Sequence, residues 1–101
     1  MRIRNRKIVV RVTDKNKREG ERGNATSCPV QKAISRYVYG KVYVAPRSFV
    51  IETLDGNHSG NLPEEVGQKI RTYDNTGRMP RFQFTITVPE SYLRYEYRYK
   101  R

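Results

Sequence analysis

The chain has 101 residues, with 21 Lys and Arg against 10 Asp and Glu, a net charge of +11 and a pI near 10.2. That length suits one compact domain. Its single cysteine, Cys28, excludes an internal disulfide framework and a cysteine-built structural zinc site. No apolar run approaches the ~20 residues of a membrane span, so the charge excess points to an anionic partner rather than to a place in the bilayer.

The N-terminal MRIRNRK is basic, and the IVV that follows is too short for a signal peptide. The expectation is a soluble, cytoplasmic protein. Ile8, Val10 and Val12 alternate with Val9, Arg11 and Thr13, which predicts a strand. The polar stretch DKNKREGERGNATS, with two glycines and mixed charge, reads as a long exposed loop. Its Lys15, Lys17, Arg18 and Arg22 are diluted by Asp14, Glu19 and Glu21, which suits a solvated loop better than a phosphate clamp.

Val30, Ala33, Ile34, Tyr37 and Val38 then recur at helical spacing. Pro29 fits the first helical position, Thr26 or Ser27 can cap, and Gly40 suits the exit. KVYVAP and SFVIETL follow as two short strands, and DGNHSGN as a loop. A second helix begins at Pro63, carries Glu64 and Glu65 in its first turn, keeps Val66, Ile70 and Tyr73 on one face, and ends at Asn75-Thr76-Gly77. RFQFTITVP is the cleanest alternation in the chain, with Phe82, Phe84, Ile86 and Val88 on one face.

This order predicts an α+β domain of the ferredoxin-like β-α-β-β-α-β type. It would be a four-stranded antiparallel sheet with two helices on one face. Residues 1–89 would form that domain, with residues 1–7 as a basic arm. Residues 90–101, ESYLRYEYRYKR, would be a basic, Tyr-rich C-terminal edge strand or tail. In such a sheet the first and last strands are antiparallel neighbours, so the basic arm and the basic tail would meet.

Residues 1–22 carry nine Lys and Arg against three acids, residues 23–89 eight against five, and residues 90–101 four against two. Both ends are therefore more basic per residue than the middle. If both ends are extended, Arg2, Arg4 and Arg6 share a face, as do Arg94, Arg98 and Lys100. Leu93, Tyr95, Tyr97 and Tyr99 would share the opposite face of the tail. Cations interleaved with tyrosines suit nucleic acid: the cations release counterions from phosphate, and the rings stack on unpaired bases at ~1–3 kcal/mol each. The same composition suits an ordinary edge strand shielded by charge, or a protein-contact patch rich in Tyr and Arg.

Other chemistry finds little support. The strand KIVVRV has no aromatic and RSFVIET only Phe49, so the ring pair of RNA-recognition sheets is missing. Cys28 sits at a helix start and His58 in a Gly-rich loop, with no diagnostic spacing between them. A small packed thiol is the better reading of Cys28. No paired-carboxylate motif, phosphate-cradling Gly loop or histidine cluster appears. The expectation is a non-enzyme with no catalytic residue, metal or cofactor.

Val12-Thr13, Cys28-Pro29, Ala33-Ile34, Leu62-Pro63, Asp74, Gly77, Pro80 and Phe82 stand in an outline that resembles a group of small phage and prophage proteins. The resemblance spans roughly residues 8–88 and leaves out both basic ends. It implies a mobile-element protein acting in a host cytoplasm. The group has no assigned activity, so it lends no site residues.

The functional expectation is a phage-type accessory protein that binds DNA or RNA. Arg2, Arg4, Arg6, Arg94, Arg98, Lys100 and Arg101 would meet phosphates, and Tyr95, Tyr97 and Tyr99 would stack or hydrogen-bond. The alternatives are an interaction protein that blocks a host defence or polymerase complex through an acidic surface, and a virion or assembly component that pairs by strand addition. An exposed edge strand would also permit a homodimer.

Overall fold

The computed structural model describes residues 4–20 and 27–98. Strand β1 (Asn5–Val12) turns Val10 and Val12 into the core and Lys7, Val9 and Arg11 outward. It pairs antiparallel with β5 (Phe82–Pro89), setting Ile8 against Ile86 and Val10 against Phe84. Strands β2 (Lys41–Val44), β3 (Ser48–Thr53) and β4 (Gly56–Asn61) form a second antiparallel sheet in that order.

Four α-helices and one 3-10 turn accompany the strands among the described residues. Helix α1 (Asp14–Glu19) starts from a capping box: Thr13 Oγ1 accepts from Asn16 N–H, and the Asn16 side chain accepts from Thr13 N–H. Helix α2 (Pro29–Ser35) has Pro at its entry and buries Val30, Ala33 and Ile34. Helix α3 (Glu64–Thr76) buries Val66, Ile70 and Tyr73 along one stripe. It stops at Gly77, whose φ of 75° is the left-handed conformation that glycine adopts without strain. A 3-10 turn (Glu90–Tyr92) and helix α4 (Tyr95–Arg98) follow β5. One apolar cluster joins α2, α3, β1, β2, β3 and β5, and Leu93 closes it. No helix among the described residues is long and apolar enough to cross a membrane.

The chain is α+β, but the predicted four-stranded ferredoxin-like sheet with two helices on one face is not formed. In that arrangement β1 would lie between the last strand and the strand SFVIET. Here β4 occupies that edge of β3, so among the described residues β1 keeps only β5 as its partner. GNHSGN, which its composition predicts to be a loop, is the strand that displaces β1 from β3. It has no apolar alternation, and it is a strand through its backbone pairing with β3. Its hairpin is tied by Thr53, whose Oγ1 donates to Gly56 O at 2.7 Å and accepts from Asp55 N–H at 3.3 Å. The predicted loop after Thr13 is likewise corrected over Asp14–Glu19, where the capping box sets a helical turn.

The two sheets touch along β4 and β5 without sharing a ladder. His58 Nε2 donates to Thr87 O at 3.3 Å. Beside this contact lies a cleft of about 460 Å³, lined by residues that include Asn5, Ser59, Asn61, Thr85 and Thr87.

Candidate nucleic-acid interface

The start of β1 meets the end of β5. Glu90 N–H donates to Arg4 O at 2.7 Å, and Asn5 pairs with Pro89. Arg4 is exposed at this junction. Arg2, Tyr99, Lys100 and Arg101 lie outside the described residues.

The tail between Glu90 and Arg98 is not an edge strand. Leu93 is fully buried and forms a single bridge with Val38. Tyr39 N–H donates to Tyr92 O and Arg94 N–H to Tyr37 O, both at 2.9 Å. The chain then turns into α4, which replaces the expected alternation of a cationic and a tyrosine face. In this turn Arg94 and Arg98 both lie over the Tyr39 ring, 5.6 and 6.0 Å from its centre.

Much of the donor capacity of these arginines goes to the protein itself. Arg98 donates from Nε to Leu93 O and from Nη2 to Ser91 O, each at 3.0 Å. Arg94 Nη2 reaches Ser35 O at 3.4 Å. Arg6 Nη1 donates to Arg98 O at 2.6 Å and lies 3.8 Å from the Glu90 carboxylate. Tyr97 packs its ring on Tyr37, while Tyr95 is 69% exposed and its N–H donates to Tyr39 OH. The structure thus brings Arg4, Arg6, Arg94, Tyr95, Tyr97 and Arg98 into one neighbourhood, with Arg6, Arg94, Tyr97 and Arg98 half-buried.

A second cationic surface was missed. The outer face of the β1–β5 pair presents Lys7, Val9 and Arg11 opposite Thr87, Thr85 and Gln83, all exposed. Strand parity holds the signal. Positions 8, 10 and 12 face the core, so Arg6 continues the inward face, and Lys7 and Arg11 must point out. Among the described residues, the ion pairs engage Arg6, Lys15, Lys17 and Arg81, and neither Lys7 nor Arg11 stands in one.

At the far end of β1, Asp14 sits among cations. Lys17 lies 3.1 Å from its carboxylate and Arg81 3.9 Å. The Lys17 hydrogen bond, aided by the charges of Lys17, Arg81 and Arg18, holds the Asp14 carboxyl below its usual range.

Cys28 and His58 both have packing partners. Cys28 is the buried N-cap of α2, and its Sγ accepts from Gln31 N–H at 3.4 Å. Burial raises its thiol pKa, so the thiolate needed for nucleophilic chemistry is disfavoured. His58 packs between Phe49 and Tyr92, at 6.1 and 5.7 Å between ring centres. Among the described residues no cluster of three His, Cys, Asp or Glu side chains could hold a metal ion. No protein-family model matches the chain, and no curated protein or solved structure matches it either.

Proposed function

We propose that this chain is a small non-enzymatic accessory protein, of the phage type its sequence resembles, that binds nucleic acid in a host cytoplasm. The observation that carries this reading is the surplus of surface cations. The chain holds 21 Lys and Arg against 10 acids, and four of the cations account for its ion pairs among the described residues. A net charge of +11 on a chain of 101 residues repels itself and favours a polyanion.

A protein homodimer through β1 is the weaker use of that edge. An antiparallel β1–β1 pair centred on Val9 would set Lys7 against Arg11 of the other copy, and like charges directly opposite one another are destabilising.

Fluorescence anisotropy with single- and double-stranded DNA and RNA, at two salt concentrations, tests the proposal. Affinity should fall steeply with salt, by a slope of about 0.9 per phosphate neutralised on duplex DNA. Arg4→Gln should reduce that slope by about one. Binding that ignores salt would remove the electrostatic mechanism. Absence of binding at moderate salt would assign the charge to an acidic protein surface instead. Point variants are the right instrument, because a chain ended at Glu90 would lose Leu93 from the core.

A further inference from the structure

We infer that the outer face of the β1–β5 pair is a contact surface for double-helical DNA, laid along the major groove; this rests on the nucleic-acid reading above. Its side chains are Lys7, Val9, Arg11, Gln83, Thr85 and Thr87, all exposed.

Charge is the first argument. This face holds two cations and no acid. The outer face of the other sheet sets Glu52 between Lys41 and Asn57 in register and offers a polyanion no such surplus. Chemistry is the second. Lysine and arginine meet phosphates or guanine edges, glutamine can pair with adenine, and threonine offers both a hydroxyl and a methyl. No aromatic stands on this face, so it lacks the rings on which single-stranded bases stack.

Shape is the third argument. Two paired strands of eight residues make a ribbon about 27 Å long, with its strands about 4.8 Å apart. A B-form major groove about 12 Å wide admits a two-stranded ribbon. The major groove of A-form RNA is too deep and narrow for side chains to read. The ribbon keeps its inner face in the core and its outer face open: among the described residues β1 pairs only with β5, and a cleft beside Thr85 and Thr87 lies between β5 and β4 along part of their length.

The test uses the full chain and a fluorescent duplex of about two helical turns, ~20 bp. Competitors are the same sequence as an RNA duplex and as single-stranded DNA. The DNA duplex should bind most tightly. Lys7→Gln with Arg11→Gln should weaken it about ten-fold or more and lower the salt slope by about two. The control pair, Arg47→Gln with Arg71→Gln, alters exposed cations at the β2–β3 turn and on α3 and should leave affinity within about two-fold. Circular dichroism confirms that both variants are folded. Equal losses from the two pairs, or a preference for single strands or duplex RNA, would remove the ribbon while leaving nucleic-acid binding intact. Failure of the unaltered chain to bind any of the three would remove both.

Discussion

Tyr37 and Tyr97 hold their rings 4.7 Å apart at an angle of 54°, and this contact pins α4 to the chain just beyond α2. Leu93, four residues earlier, is fully buried against the core. The C-terminal segment is therefore part of the folded unit through Arg98. Leu93→Ala should lower stability by about 2–4 kcal/mol, through lost burial and the cavity left behind. Tyr97→Ala should cost about 1–2 kcal/mol. Urea denaturation measures both. If Tyr97 served only to stack on bases, Tyr97→Ala would leave the urea midpoint unchanged.

The cap of α1 gives a second prediction. Thr13 and Asn16 exchange hydrogen bonds at the start of a helix of only six residues. Such a short helix has little cooperative support of its own. Thr13→Ala should destabilise the protein by about 1 kcal/mol, read as a lower melting temperature. The lost protection should fall on the amides of residues 14–19 in hydrogen exchange.

These contacts also mark where the sequence could be read and where it could not. The β1 and β5 alternations were legible because each strand is half buried, with Val10, Val12, Phe84 and Ile86 inside and every second residue out. The entry of α2 was legible from Pro29. Its end was not: Val38 continues the helical spacing, yet α2 stops at Ser35, and Val38 is buried through its bridge to Leu93. Strand β4 was illegible because nothing in GNHSGN needs a core. Its pairing is backbone chemistry, helped by Gly60, where a Cβ would lie 2.7 Å from the Phe49 ring. For the basic ends, sequence could place Arg4 beside the tail. It could not show that Arg94 and Arg98 would turn their guanidiniums to backbone carbonyls.

Asp14 yields a pH prediction. Its carboxyl is held below the usual range by the Lys17 hydrogen bond and nearby cations. A folded-state pKa below the unfolded one means the ionised form is favoured by folding. The contribution is present in full above the unfolded value and fades as pH falls through the folded one. Asp14 is exposed, so the effect is small and screened by salt. Melting temperatures of the unaltered chain and of Asp14→Asn should differ at neutral pH and low salt. The gap should close in acid. A gap that widened on acidification would reverse the assignment.

Cys28 should be slow to react. Its thiol is buried and its pKa is raised by that burial, so the thiolate fraction at neutral pH is low. A thiol-reactive dye should label the native protein slowly and the urea-unfolded protein quickly. Native labelling as fast as that of the unfolded chain would show a reactive cysteine and reopen a catalytic reading.

Arg6 separates structural from functional use of charge. Its Nη1 donates to Arg98 O at 2.6 Å, and its guanidinium faces the Glu90 carboxylate at 3.8 Å. It thereby ties β1 to both ends of the C-terminal segment. Lysine keeps the charge but not the planar fork that reaches two partners at once. Arg6→Lys should therefore lower stability by about 1–2 kcal/mol and leave the salt dependence of nucleic-acid binding unchanged. Lys7→Gln should do the reverse, because Lys7 points outward and enters no ion pair among the described residues. Denaturation and salt-titrated binding on the two variants read the two effects separately. If Arg6→Lys weakened nucleic-acid binding while stability held, the guanidinium would belong to the nucleic-acid contact, and the tie to Arg98 would be incidental.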